Sequence, residues 1–188
     1  VLSADEFEGR RTGTVGAIKA KDYIINQFKD LQVLPFVENY EQNFDFKRRD
    51  KNYQATNVLG LVKGTEQSDK YIVLSAHYDH EGVKNGKIYN GADDDASGIS
   101  ALFAFAEYFQ KNPPKHSVIL AAVDGEELGL KGSKYFVENS IIPQENIKLN
   151  INMDMISRSA KNELFAVGTR HYKHLEPAIT KIKYLTRI

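Results

Sequence analysis

Cysteine is absent from the 188-residue chain. That excludes a disulfide framework, a thiolate metal site and a cysteine nucleophile. An excess of either charge is absent as well. The 25 Lys and Arg balance 25 Asp and Glu, so no basic stripe argues for nucleic acid or an anionic membrane as a partner. No apolar run approaches the ~18 residues of a membrane span. No charged-then-apolar leader opens the chain at Val1, so a signal peptide is expected to be missing or already removed. Repeats, low-complexity segments and internal linkers are missing too, and residues 1–188 read as one domain. What remains is an ordinary globular composition, 41% hydrophobic and 27% charged, long enough for one sizeable core.

Helices and strands alternate along the chain. After "RRTGT" the spacing of Ala17, Ala20, Ile24, Phe28 and Leu31 predicts a helix over Val15 to Leu31. "YEQNFDF" alternates as a strand does, and "KRRDK" then reads as a solvated hairpin turn. "NVLGLV", "YIVLSA", "SVILAAV" and "LNINMDMI" are further strands. Ser97 to Gln110 carries a helical stripe of Ile99, Leu102, Ala106 and Phe109, with Asp95 or Ser97 as N-cap. "SKYFVEN" is a short helix, "LFAVGT" a strand, and a last helix lies near "HLEPAITKIKYL". Apolar strands alternating with helices predict a three-layer α/β/α sandwich around a mixed, largely parallel sheet.

The polar clusters fall just past those strands, where open α/β sheets place their ligands. "AHYDH" puts His77 and Asp79 beyond one strand, and "DGEELG" puts Asp124, Glu126 and Glu127 beyond the next. "NMDM" carries Asp154 in or at the end of a third, and "GADDDASG" places Asp93, Asp94 and Asp95 before a helix. Such a gathering of carboxylates with one imidazole repels itself unless a cation sits among them. Histidine with carboxylates suits zinc, or less selectively manganese or cobalt.

In their order and spacing, "AHYDH", "GADDDASG", "DGEELGLKGS" and "NMDM" resemble metallopeptidase family 28. This is the family of co-catalytic zinc aminopeptidases, and it also contains glutaminyl cyclases. The opening "FEGRRTGT" before a helix is similar as well, so the likeness covers nearly the whole chain. The resemblance implies that His77 ligates one zinc, that Asp94 bridges two, and that Glu127 and Asp154 complete the two sets. His77 is paired with Asp154 on charge and analogy, and the family pattern equally allows the partners to be exchanged. It implies Glu126 as a general base outside the ligand set, and Asp79 as the residue that holds the His77 ring in its tautomer. It also implies a cis peptide between Asp94 and Asp95. The implied reaction is hydrolysis of an N-terminal peptide bond by a metal-activated water. The substrate is a peptide with a free N-terminus, and the protein would be periplasmic or secreted.

The remaining residues receive plainer readings. His80 is taken as a cleft or surface residue, and His116, His171 and His174 as solvated. Asp93 is read as a turn or cap residue, Asp124 as a loop hydrogen-bonder, and Lys131 and Ser133 as capping residues. The family draws a final histidine ligand, and in many members a tyrosine, from a segment well beyond "NMDM". The chain ends 34 positions after Asp154 with no matching "DH". It is therefore read as lacking its C-terminal part, with at most one tightly held zinc and little activity of its own. A non-catalytic fragment or binding module is the alternative. The family's cyclases, which use one zinc and do without the first histidine ligand, fit less well because His77 is present.

Overall fold

A computed structural model describes residues 1–161, 163–168 and 171–185, with backbone only over 182–185. It divides into two compact units, Val1–Ser157 and Arg158–Ile188.

In the larger unit a 3₁₀ turn, Asp5–Arg10, precedes helix α1, Val15–Asp30. Thr14 caps α1 by accepting from the Ala17 amide at 3.4 Å. The strands follow as β1 (Leu34–Pro35), β2 (Glu41–Arg48), β3 (Lys51–Val62) and β4 (Gln67–His77). A small hairpin of β5 (Gly82–Lys84) and β6 (Lys87–Tyr89) leads to α2 (Ala96–Lys111). Then come β7 (His116–Val123), α3 (Lys131–Glu138) and β8 (Ile147–Asn152).

The main sheet runs β1-β3-β7-β4-β8, with β2 also on β3. β4 pairs in parallel with β7 and β8, whereas β3 is antiparallel to β7, β1 and β2. The sheet is mixed, and β3 alone opposes the common strand direction. Side chains of a strand alternate between faces, and β7 divides its own accordingly. Val118, Leu120 and Ala122 pack with Ala17, Ala20, Ile24 and Phe28 of α1 and with Ile99, Leu102 and Ala106 of α2. Ile119, Ala121 and Val123 pack with Phe136 of α3 on the opposite face. Both faces are covered, so the central strands read as unbroken apolar runs, and the α/β/α layering is as the sequence predicts.

Register brings the chemistry to one edge. His77 lies beside Val123 and Ser75 beside Asn152, all in parallel pairs. The residues that follow β4, β7 and β8 therefore leave the sheet on the same side. Gly98 allows α2 to start there, because a Cβ on it would lie 2.4 Å from the Met153 carbonyl oxygen.

Two expectations need correction, and one hairpin lies where no strand was expected. The "LNINMDMI" strand stops at Asn152, and Met153 is tied to β4 only by its amide, which donates to the Ser75 carbonyl at 2.8 Å. The predicted strand at "LFAVGT" is not formed over 164–168, where Leu164, Phe165 and Val167 are largely exposed, and Thr169 lies outside the described residues. Apolar propensity does not make a strand without a neighbour to pair with. The β5–β6 hairpin was missed, although its turn is Asn85-Gly86 with both φ positive, at 52° and 73°.

In the smaller unit the described elements are a 3₁₀ turn, Lys173–Leu175, and α4, Glu176–Leu185. Among the described residues no helix is long and apolar enough to cross a membrane.

Candidate metal centre

The three adjacent aspartates do three different things. Asp93 Oδ1 accepts from the Ser157 amide at 3.1 Å and from its hydroxyl at 2.6 Å. Asp95 is the N-cap of α2 and accepts from the Gly98 amide at 2.9 Å. It also accepts from the His77 amide and the Met155 amide, both at 3.2 Å. One buried carboxylate thereby joins the end of β4, the start of α2 and the segment after β8. Asp94 is left pointing into the cleft between them, and the Asp94–Asp95 peptide is cis.

His77 is buried at the last position of β4. Its Nδ1 lies 3.0 Å from the backbone carbonyl of Asp79. An Nδ1–H donated to that carbonyl leaves the Nε2 lone pair free. Nε2 faces Asp94 Oδ1 at 3.0 Å and Asp154 Oδ1 at 3.8 Å. On the other side of Asp94, His80 Nδ1 lies 2.9 Å from Glu127 Oε1 and 3.6 Å from Asp94 Oδ2. Two three-donor sets result, His77-Asp94-Asp154 and His80-Asp94-Glu127, each with its ligand atoms within 4.8 Å of one another. Asp94 belongs to both. Glu126 belongs to neither.

Asp79 does more than the expected orienting of the His77 ring. Its carboxylate stands 3.6 Å from Nδ1. It accepts from the amides of Glu126 at 3.0 Å and Glu127 at 3.2 Å, and from the Thr12 hydroxyl at 3.2 Å. Asp79 therefore orients His77 through its carbonyl and fixes the Glu126–Glu127 turn through its side chain.

The electrostatics call for a cation. Burial pushes Glu126 up, and Asp79, Glu127 and Asp154 add to this against the pull of His77. Burial and Asp94 push Glu127 up. Burial lifts Asp95 to about 6 despite its hydrogen bonds from Gly98 and Met155. Burial opposes charge on His77, yet Asp79, Asp95 and Glu126 outweigh it and hold the imidazole up to about 10. The carboxylates thus gather positive charge, either a proton on His77 or a metal ion that takes its place. Imidazole and carboxylate donors in sets of three fit zinc with an open position.

A second buried network, not read from the sequence, supports this edge. Asp124 accepts from Thr12 at 2.8 Å, the Gly125 amide at 2.8 Å, Tyr78 at 3.1 Å and the Thr56 amide at 3.2 Å. Burial and the charge of Asp79 push its carboxyl up to about 7. Arg10 is fully buried, and burial lowers it to about 10. Its guanidinium donates to the carbonyls of Tyr78 at 2.7 Å, Leu2 and Asn90 at 2.6 Å, and Gly91 at 2.8 Å. One side chain thereby holds the segment after β4 against the segment that carries Asp94. The signal available in the sequence was the pair of arginines in "GRRTGT". His116 is partly buried and outside the cleft, and His171 and His174 are exposed.

Residues 57–187 match the sequence model of peptidase family M28. The chain belongs to family M28. A "Probable zinc metalloprotease" of Pyrenophora tritici-repentis is 35% identical over 162 residues, 79% of this chain and 32% of the relative. The chain thus spans about a third of that protein's length. Among solved structures, a zinc-dependent exopeptidase from Parabacteroides distasonis aligns with a TM-score of 0.75 at 20% identity, covering 95% of this chain and 67% of that one. A Bacteroides thetaiotaomicron glutaminyl cyclase aligns with 0.72 at 22%, covering 94% and 65%. At these identities both likenesses concern the fold.

Within this M28 chain, Asp79→Asn is expected to weaken zinc affinity roughly 10–100-fold, as loss of an outer hydrogen-bond partner does. An asparagine must turn its amide hydrogens toward one of the donors that Asp79 now receives. A competitive zinc titration measures the effect, and far-UV circular dichroism checks the fold. Unchanged affinity would reduce Asp79 to a structural residue.

Proposed function

We propose that the chain carries the two-zinc centre of a metallo-aminopeptidase that releases N-terminal residues from peptides. The observation that supports this best is the shared position of Asp94 between two donor sets, with Glu126 beside both and part of neither. In this reading His77, Asp94 and Asp154 hold one ion, and Asp94 and Glu127 hold the other. Zinc there supplies a lowered pKa for water and charge stabilisation for the developing oxyanion. Glu126 accepts a proton from the attacking water and returns it to the leaving nitrogen. Burial and the acidic neighbours, which raise its proton affinity, suit it to that exchange. Asp79 keeps Glu126 and Glu127 aimed apart by gripping both of their amides. A neutral free N-terminus could bind one of the zincs, which favours release of N-terminal residues over internal cleavage.

The test compares aminoacyl nitroanilides, N-acetylated peptides and peptides beginning with glutamine, each with zinc-loaded and chelator-stripped protein. In an active form of the enzyme, zinc-dependent release from substrates with a free amine, and none from acetylated ones, is the expected result. Cleavage of acetylated peptides would make the protein an endopeptidase. Cyclisation of N-terminal glutamine without hydrolysis would make it a cyclase.

A further inference from the structure

We propose that His80 is itself a metal ligand in this chain and completes the set formed by Asp94 and Glu127. The inference rests on the two-zinc reading above. With Asp94 and Glu127 alone, that second position has two protein donors, whereas the His77 position has three. His80 makes them equal.

Three observations carry this. His80 Nδ1 is buried and has no hydrogen-bond partner among the described residues. Glu127 Oε1 stands 2.9 Å from it, but the pair is not aligned as a hydrogen bond. A buried ring nitrogen beside two carboxylates that it does not hydrogen-bond is a costly arrangement unless something else is held there. Nδ1, Glu127 Oε1 and an oxygen of Asp94 converge on one point, as donors to a common ion do.

The second observation is the room made for the ring. Gly91 has φ +56°, and a Cβ on it would lie 2.6 Å from Cγ and Cδ2 of His80 and 2.3 Å from the Asp94 carbonyl oxygen. Only a residue without a side chain lets the imidazole lie beside Asp94.

The third is the anchoring of the backbone on both sides. The His80 amide donates to the Arg10 carbonyl at 3.3 Å. The Arg10 guanidinium meanwhile grips the carbonyls of Tyr78 and Gly91 and reaches that of Asp94 at 3.5 Å. The segments that carry His80 and Asp94 are thus held together by one buried side chain, independently of any ion.

Metal-stripped protein of this 188-residue sequence is titrated with zinc against a chromophoric chelator, and in parallel with cobalt, whose visible spectrum reports its ligands. The unaltered chain should take up two equivalents, one more than the sequence alone leads one to expect, because His80 supplies the donor counted there as missing. His80→Gln should leave the first equivalent unchanged and weaken the second roughly 100-fold or more, beyond the 10–100-fold expected of an outer partner. The cobalt spectrum of the second equivalent should change with it. Gly91→Ala, which displaces the ring without removing it, should weaken the same equivalent. His77→Gln should do the converse and lose the first. The retained first equivalent in the His80 variant shows that the fold survives.

A second equivalent that is unaffected, or weakened less than tenfold, by His80→Gln would overturn the proposal and leave His80 a neighbour of Glu127. Loss of both equivalents together in that variant would also overturn it. A single equivalent in the unaltered chain, lost with His77→Gln but not with His80→Gln, would sink the His80 assignment alone. Failure of the unaltered chain to bind any zinc would sink the two-zinc reading and this inference together.

Discussion

Glu126→Gln is expected to cut peptide turnover 10²–10⁴-fold in an active form of the enzyme while leaving its zinc content unchanged. The two halves of this result have separate causes. Glutamine keeps the shape of the side chain but cannot accept the proton of the attacking water. Zinc is retained because Glu126 lies in neither donor set. Its backbone position is also kept, since the Glu126 amide donates to Asp79 whatever the side chain is. Steady-state kinetics with metal analysis on the same sample measure both. Zinc lost together with activity would make Glu126 a ligand and reverse the roles assigned to the Glu126–Glu127 pair.

Asp94→Ala is expected to weaken zinc at both positions at once. Structural zinc sites with four ligands bind with about 10–16 kcal/mol, so one ligand is worth roughly 3 kcal/mol, or about 100- to 1,000-fold per site. Other single ligand changes act on one position, and Asp94 is shared by two. The fold should survive, because the Asp94 carbonyl still faces Arg10 and the α2 cap is made by Asp95. Calorimetry reads the consequence. Zinc at a hundred times its dissociation constant stabilises a protein by about 2.7 kcal/mol per site, so the unaltered chain should melt higher with zinc and the variant should not. A variant that loses only one equivalent would show that Asp94 does not serve both positions.

That His77, Asp94, Glu127 and Asp154 gather at one cleft was legible in the sequence for a simple reason. Each follows an apolar run or opens a helix, and parallel register carries such positions to one edge of a sheet. The nearness of His77 to Asp154, one of the two arrangements left open, follows from Ser75 lying beside Asn152. His80 could not be placed in this way. It lies three residues beyond β4, and its aim depends on the grip of Arg10, 70 positions earlier, and on the space at Gly91. The further role of the Asp79 side chain was out of reach for a related reason. The "HYD" spacing puts it near His77, but its carboxylate turns to the Glu126 and Glu127 amides, which the sequence places 47 and 48 positions away. The "LFAVGT" strand failed because apolar composition is local and strand pairing is not.

A crystal of the zinc-loaded chain, measured at the zinc absorption edge, tests the two-metal centre most directly. The account predicts two separate anomalous peaks on either side of the Asp94 carboxylate, one against His77 and Asp154 and the other against His80 and Glu127. A single peak, or peaks that Asp94 does not join, would contradict it.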